Sequence, residues 1–433
     1  MTVMPTTEFA PSPRKHAMGF EGVVALCGIA AFLVAIVLGA GRGSFAEKTD
    51  FSSIYIGARI VHQGHGSKLY SLEEQGRLRA SLFQRPNPQI YDHPAYEVVF
   101  LAPLAGMPYK AAYIVWGLVN AFLWLLVACL LRPYAPAPKS TVGYFAIWLL
   151  FAPLGVALYQ GQPSIVLLLI YTLVFINLKR GHELSAGLCL ALGLFKFQFV
   201  LPFALIFLLR RKWRFLGGFA LSATLLGLVS LVAAGWQGSL SYVDLLFKIA
   251  HNPNNAAYGA AADMPTIRGF IYAIVGDRIG LAGLSFAVAA VSIFLLAFTA
   301  RRWRLADLQG SEGSLDVMFA GALAVSLLTG FHMLSHDLSP LMLAMLLVAG
   351  HFPGRSRSML RWAVGGTLTA LCIPPLYFVL LAGHHLYLIC PVLVVFALSA
   401  FQLAGSTGWR NANGRRTGAR TVTRQLLSRC QPR

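Results

Sequence analysis

The sequence has 433 residues, of which 57% are hydrophobic and only 12% are charged. A soluble protein of this size needs a more charged surface, so the composition excludes an ordinary soluble enzyme. The formal net charge is +19, but the basic residues lie in short clusters between apolar runs. That pattern is typical of cytoplasmic loops in membrane proteins and not of nucleic-acid binding, so we expect no nucleic-acid partner.

Apolar runs of about 20 residues recur along the chain, and each is long enough to cross a hydrocarbon core of about 30 Å. The alternating pattern of a β-barrel does not occur. The sequence therefore predicts an all-α integral membrane protein, a polytopic bundle of about 12 transmembrane helices. The predicted spans are 21–40, 110–131, 141–159, 163–178, 184–195, 198–210, 215–235, 280–300, 314–330, 338–350, 362–381 and 385–404.

The polar ends of the chain flank this membrane domain, which we place at residues 21–404. Residues 1–20 are predicted to be a cytoplasmic leader, and residues 405–433 a cytoplasmic tail. The tail contains seven arginines and no acidic residue, so we expect it to bind anionic lipid.

Residues 41–93 form the first predicted extracytoplasmic segment. Asp50 stands before an amphipathic helical pattern, and we expect a helix that lies against a membrane surface and ends near Gly64 and Gly66. Asp50 is then either only the N-cap of this helix or a functional carboxylate. A second amphipathic helix, at about 71–84, begins with a capping box of Ser71 and Glu74.

Residues 94–106 are apolar, too short to cross a bilayer and interrupted by Pro103, so we interpret them as a partial or re-entrant segment. The predicted crossings place the basic clusters on one side. On the other side they place the acidic residues, a second loop at 236–266 and the polar turn at 159–163. Ionisable groups are therefore expected to converge on the extracytoplasmic face.

Lys196 lies between two short apolar segments, at their predicted outer end. A lysine there either extends to the lipid headgroups or binds an anion such as a lipid phosphate. His332, His336 and Asp337 form either a polar turn between two helices or further contacts to the same phosphate, with Asp337 orienting a ring. Their spacing alone does not define a metal site.

Other polar side chains are candidates for binding a sugar or an acceptor. The amides of Gln160 and Gln162 suit sugar hydroxyls, although they are equally suited to satisfying helix ends. Arg59 is able to pair with a lipid phosphate or with Glu47. No cofactor is implied by any of these residues.

Several short motifs, in this order, resemble glycosyltransferase family 87, a family of bacterial polyprenyl-phosphate-sugar-dependent enzymes of the GT-C class. They are Asp50-Phe51 with Tyr55, Gly66-x-x-Leu69-Tyr70, Tyr91-x-x-Pro94, Pro103 and Pro108 before Trp116, Tyr159-x-Gly161-Gln162, Ala186-Gly187-Leu188, Lys196 before Pro202, and Arg211 to Trp213. The resemblance covers roughly residues 45–350. The chain has His93-Pro94-Ala95 where the family often has Tyr-Pro-Pro, and Pro163-Ser164 where Asn is common after Gly-Gln.

The resemblance implies a many-helix GT-C-like fold with the active site beneath amphipathic helices, and a catalytic base at Asp50. The expected activity is transfer of a hexose, mannose in the family, from a polyprenyl-phosphate sugar to a lipid or glycan acceptor, with inversion. We expect Lys196, His336 and Arg59 to bind the donor phosphate. The expected sugar and acceptor contacts are Tyr55, Tyr91, His93, Gln160, Gln162, His332 and Asp337.

The expected location is the bacterial inner membrane, with cytoplasmic termini. Two other classes remain open: a transporter or lipid-sugar flippase, and a non-catalytic membrane scaffold. A transporter would be expected to show paired half-sequence repeats, and we find none.

Overall fold

The computed structural model describes residues 46–83, 89–135, 141–251, 261–309, 313–352 and 358–404. The predicted leader 1–20, first span 21–40 and tail 405–433 lie outside the described residues. Within the described ranges every regular element is a helix and there is no strand. The predicted all-α class is therefore confirmed, and the repeated apolar helices define a multi-pass membrane protein.

The helices are numbered in chain order. They are α1 Phe51–His62, α2 Leu72–Leu82, α3 Ala95–Ala105, α4 Tyr109–Leu131, α5 Thr141–Leu150, α6 Ala152–Gln160, α7 Ser164–Lys179, α8 Glu183–Ala191, α9 Phe197–Leu209, α10 Trp213–His251, α11 Ile267–Gln309, α12 Ser314–Leu328, α13 Leu341–Gly350, α14 Ser358–Leu371, α15 Pro374–Ala382 and α16 389–404. Short 3-10 turns join several of them, among them Leu192–Lys196 and Ser335–Leu338.

By length and composition, five helical stretches of the described residues are able to cross a membrane, and 183–209, which contains α8 and α9, is one of them. The number rises to seven if two bent pairs each form one span: α5 with α6, bent by 62°, and α14 with α15, bent by 67°. Other apolar helices, such as α7 and α12, are shorter. The predicted number of about twelve crossings therefore stays a prediction.

The stretch from Glu183 to Leu209 is long and apolar enough for a single membrane-spanning helix, but the chain reverses direction inside it. A straight helix of this length would extend about 40 Å. Yet Nζ of Lys212, just beyond its end, lies 2.8 Å from Oε1 of Glu183 at its start. The break falls at Lys196, whose φ of −118° and ψ of 59° are not helical. Helices α8 and α9 are thus two limbs of a hairpin with Lys196 at its tip.

Of the residues in the predicted basic clusters that the structure describes, Lys179, Arg210, Lys212 and Arg304 lie at the end of the bundle opposite this tip, which we call the basic end. Here Arg210 pairs with Asp307 at 2.6 Å, and Lys179 pairs with Asp316. The guanidinium of Arg210 also lies 4.0 Å from the centre of the Trp303 ring, a cation–π contact. Arg304 donates to the carbonyl of Leu209 nearby.

Helix α1 differs from the expected surface helix, because the protein encloses it on nearly all sides. Residues 51–58 are all buried, and α3 packs against α1 along its length. Asp50 occupies the N-cap position, but its φ of −64° and ψ of −26° are helical and its side chain makes no capping hydrogen bond. The interpretation of Asp50 as only a helix cap is therefore wrong.

Helix α2 begins at the predicted cap, where the amide of Glu74 donates to Oγ of Ser71 at 3.3 Å. Helix α3 has 11 residues and is roughly 16 Å long, so it is too short to span a bilayer, as expected for residues 94–106.

The segment 236–266, which the sequence predicts to be a loop, is partly helical. Residues 236–251 continue α10 beyond a break at Gly235, where φ is 69°.

Candidate active site

A cavity of about 580 Å³ opens at the end of the bundle that carries the tip of the α8–α9 hairpin. Its walls come from the start of α1, the segment before α3, the hairpin tip, the second half of α10 and the segment before α13. The lining residues are Asp50, Ser53, Ile54, 89–93, Gln162, 195–198, Val243, Leu246, Phe247, Ile249, Phe331, His332, Leu334, His336 and Asp337.

Asp50 enters this cavity from the N-cap position of α1 and is only 4% exposed. Its backbone N–H donates to Oε1 of Gln160 at 3.2 Å. Its carboxylate oxygen Oδ2 accepts a hydrogen bond of 2.8 Å from Nε2 of Gln162. Both glutamines therefore hold Asp50, one through its backbone and the other through its side chain.

Gln162 is also the link between Asp50 and Lys196. Its Oε1 accepts a hydrogen bond of 3.2 Å from Nζ of Lys196, while its Nε2 donates to Asp50. The preceding residue, Gly161, has a φ of 65°, which turns the chain sharply between α6 and α7. The carbonyl of Gly161 accepts from Nε1 of Trp116 at 2.7 Å, which fixes the turn.

Lys196 and Asp337, which both line the cavity, form an ion pair, and each side chain is 3% exposed. Buried charges of this kind are tolerated when they are paired and fully hydrogen-bonded. Asp337 also accepts from the backbone N–H of Leu334 at 3.0 Å and from Oγ of Ser164 at 3.2 Å. Burial raises the pKa of Asp337, but the charges of Lys196 and His336, together with the hydrogen bonds from Leu334 and Lys196, hold that pKa below its usual value.

His336 lies between the two carboxylates. Its Nδ1 is 3.9 Å from Oδ2 of Asp50, and its Nε2 is 3.4 Å from Oδ1 of Asp337. Burial lowers the pKa of His336, and the negative charge of Asp337 opposes that effect. His332 lies in the same segment, and burial lowers its pKa to about 4, so the ring is neutral at pH 7.

A second cluster lies on another wall of the cavity, at the start of α3. Nδ1 of His93 is 2.8 Å from Oε2 of Glu97, and the hydroxyl of Tyr91 donates to the same oxygen at 3.2 Å. Burial lowers the pKa of His93, but the charge of Glu97 and its hydrogen bond outweigh this and raise the pKa overall. Burial raises the pKa of neighbouring Asp92.

Three expected site residues do not reach the cavity. The Arg59 side chain donates to the carbonyl of Ala105, and the Tyr55 hydroxyl donates to the carbonyl of Met107 at 2.7 Å. Both therefore join α1 to the end of α3 and do not line this cavity, and the roles of Arg59 at the phosphate and of Tyr55 at the sugar stay predictions. Gln160 accepts a hydrogen bond from the backbone N–H of Asp50 and does not line the cavity.

Sequence reasoning missed three polar side chains of the site: Asp92, Glu97 and Ser164. Glu97 follows His93 by four residues at the start of a helix, so its position could have been predicted from helical periodicity. No local signal indicates that Ser164 contacts Asp337, 173 residues later. Among the described residues there is no group of three His, Cys, Asp or Glu side chains placed to hold a metal ion.

The polar side of the cavity faces an apolar wall from α10. Val243, Leu246, Phe247 and Ile249 line it, and Phe247 is 63% exposed. The cavity thus combines buried ionisable groups with an apolar surface, which suits an amphiphilic ligand.

The cavity of this all-α membrane bundle contains a carboxylate, an ammonium group and imidazoles. Such an arrangement is typical of the active site of a membrane enzyme. A family model for glycosyltransferase family 87 matches residues 93–331, more than half of the chain. The chain belongs to this family and is a membrane glycosyltransferase. No curated protein and no solved structure matches the chain.

The matched range includes only part of the cavity. Of the lining residues, His93, Gln162 and Lys196 lie inside the matched range. Asp50 lies before it, and the histidines and the aspartate of the segment 332–337 lie after it. The proposed roles of these outer residues therefore depend on their geometry.

Proposed function

We propose that the protein transfers a hexose from a polyprenyl-phosphate sugar to a hydroxyl of a lipid or glycan acceptor. The observation that carries this proposal is the bridge through Gln162, which joins the carboxylate of Asp50 to the ammonium group of Lys196 within one cavity. The carboxylate is a proton acceptor for the acceptor hydroxyl, and the ammonium group is a partner for the phosphate.

The reaction is a single displacement at the anomeric carbon. Asp50 takes the proton of the acceptor hydroxyl while the hydroxyl oxygen forms a bond to that carbon. The bond from the anomeric carbon to the phosphate oxygen breaks, and its electron pair stays on the departing polyprenyl phosphate. One displacement inverts the anomeric configuration, and Asp50 releases its proton to water when the products leave.

The phosphate gains negative charge during this step, because a diester with one charge becomes a monoester with up to two. Groups that meet this charge stabilise the transition state more than the bound donor. Lys196 is the principal group, and His336 lies beside it. Asp337 keeps its bonds to Leu334 and Ser164 when Lys196 turns towards the phosphate.

The apolar wall of α10 supports a lipid-linked donor. A prenyl chain needs an apolar surface next to the phosphate site, and Val243 and Phe247 supply one that is continuous with the cavity. Tyr91, His93, Gln162 and His332 are then the side chains nearest to a sugar or an acceptor. A soluble nucleotide sugar would make no use of that wall.

We place this site on the extracytoplasmic face of a bacterial inner membrane, with the leader 1–20 and the tail 405–433 in the cytoplasm. Arg210, Lys212 and Arg304 lie at the basic end, and the cavity lies at the opposite end of the bundle. Basic clusters favour the cytoplasmic side, which supports this orientation.

The test uses purified full-length protein in lipid nanodiscs, polyprenyl-phosphate mannose with a labelled sugar, and a lipid extract as the acceptor pool. We expect transfer of the label to acceptor lipids with inverted configuration. No transfer with any polyprenyl-phosphate hexose would overturn the proposal. In liposomes, movement of the intact donor across the bilayer without transfer would instead indicate a flippase.

A further inference from the structure

We propose that His93 is a second cationic contact to the donor phosphate and that Glu97 is its positioning residue. This inference rests on the proposed function and adds a role for His93, which lines the cavity, and for Glu97, which contacts it from the start of α3. The juxtaposition that carries it is the 2.8 Å contact between Nδ1 of His93 and Oε2 of Glu97.

Glu97 fixes both the orientation and the charge of the imidazole. Its carboxylate is 6% exposed, and among the described residues no group donates to its other oxygen, Oε1. A buried carboxylate with so few donors is stable when a cation balances it. The His93 ring is in direct contact with it, so the pair is stable as imidazolium and carboxylate. The raised pKa of His93 agrees with this assignment.

The contact with Glu97 uses Nδ1 and leaves Nε2 as the remaining donor of the ring. His93 lines the cavity, and its nearest other acidic neighbour is Asp92, whose Oδ1 lies 3.9 Å from Nε2. That distance is longer than a hydrogen bond. The Nε2–H of the imidazolium is therefore available to a phosphate oxygen in the cavity.

The charge balance of the cavity gives a reason for a second cation. Lys196 is already paired with Asp337, and Asp50 is also in the cavity. Burial keeps His332 neutral at pH 7. Lys196 alone would meet only part of the charge on the departing monoester. His93 adds a second charged donor through Nε2, while the carboxylate of Glu97 balances the charge of the imidazolium.

The test measures binding of farnesyl methyl phosphate, a diester of fixed charge, and of farnesol, its neutral counterpart. The full-length protein in nanodiscs is compared with His93→Gln, Glu97→Gln and the control Glu74→Gln. Glu74 pairs with Arg77 and does not line the cavity. We expect His93→Gln and Glu97→Gln to weaken diester binding about tenfold and to leave farnesol binding unchanged. The control should behave as the wild type.

The pH dependence separates positioning from a structural role. The titratable and charged groups near His93 are Asp92 and Glu97 on its own segment, Lys196 at the hairpin tip and His336 on the turn before α13. Diester binding should fall as pH rises through the pKa of His93. Glu97→Gln should move that fall to lower pH, and His93→Lys should retain binding above it.

The possible failures are distinguishable. If the wild type binds the diester no more tightly than farnesol, and Lys196→Met changes nothing, the donor class of the proposed function is wrong. If Lys196→Met abolishes the preference for the diester while His93→Gln and Glu97→Gln retain it, only the present inference is overturned. Equal losses of diester and farnesol binding would also overturn it, because they would indicate a general loss of structure.

Discussion

The side-chain amide of Gln162 donates a hydrogen bond of 2.8 Å to Oδ2 of Asp50. The two residues are 112 positions apart in the chain, and the turn at Gly161 brings them together. Because the same amide accepts from Lys196, the carboxylate is held at a fixed distance from the positive charge. Gln162, which we expected to bind sugar or acceptor, therefore also orients the proposed base.

Gln162→Ala removes this link while leaving both charged groups in place. A hydrogen bond to a charged group contributes about 1.5–3 kcal/mol, so we expect kcat to fall roughly 10- to 100-fold. KM for the donor should change less. The control is Gln63→Ala, at an exposed position beyond α1. Steady-state kinetics on the transfer reaction will show the difference, and equal kcat values for Gln162→Ala and the control would refute the orienting role.

Asp50→Asn tests the proposed base directly. The amide cannot accept the proton of the acceptor hydroxyl, so we expect turnover to fall by roughly 10² to 10⁴, with binding of farnesyl methyl phosphate retained. The matched control is Asp244→Asn, at an exposed aspartate paired with Lys248. A single-turnover transfer assay gives the comparison. A wild-type rate for the Asp50→Asn variant would remove Asp50 from the mechanism.

The sequence predicted much of the site because charge and hydropathy determine which end of a membrane bundle each loop occupies. Asp50, Lys196, His336, Asp337 and Gln162 were expected at one end, and the structure places all five around one cavity. Among the described residues it also places Lys179, Arg210, Lys212 and Arg304 at the other end. The partners within the cavity were not predictable, because they join segments far apart in the chain.

The positions of Tyr55 and Arg59 outside the cavity lining have a simple geometric origin. Asp50, Ser53 and Ile54 line the cavity, as residues three and four positions apart should. At 100° per residue, Tyr55 and Arg59 lie roughly 140° and 180° around the helix from Asp50. They therefore face α3. The apolar pattern of α1 indicated that one side of the helix is buried. It could not show that α3 also covers the side that carries Tyr55 and Arg59.

The ion pair between Lys196 and Asp337 should show strong coupling in stability. Removing one partner leaves an unpaired buried charge, so Lys196→Met and Asp337→Asn should each lower the free energy of unfolding by about 3–5 kcal/mol. The double variant should be much less destabilised than the sum, but inactive. Thermal unfolding of the four proteins in nanodiscs measures this coupling, and additive effects would show that the pair is not formed in solution.

Gly161→Ala tests the turn that positions Gln162. Position 161 has a φ of 65°, and an added Cβ would lie 2.7 Å from Cβ of Phe51. The strained backbone at position 161 and the close contact with Phe51 should both displace Gln162. We therefore expect a lower Tm and a lower kcat. Gly155→Ala is the control, because its added Cβ meets nothing within 4 Å. It lies inside α6 and should leave the protein equally or more stable. Similar effects of the two substitutions would argue against the turn as a positioning device.

The lowered pKa of His332 predicts a pH dependence of stability with a defined sign. Its pKa is about 4 in the folded protein and about 6.5 when exposed. Between these values the unfolded chain binds the proton more readily, so the free energy of unfolding should decrease as pH falls from about 6.5 to about 4. His336, whose pKa is also lowered, contributes in the same direction, whereas the raised pKa of His93 acts in the opposite sense.

His332→Gln removes only the first of these contributions. We therefore expect the Tm of this variant to fall less steeply than that of the wild type over the same pH window, with the two curves parallel above pH 7. His65→Gln, at an exposed histidine before α2, should reproduce the wild-type slope. Identical slopes for His332→Gln and the wild type would mean that the folded protein admits a charged His332, and the cavity would then be more open to water than its enclosed walls indicate.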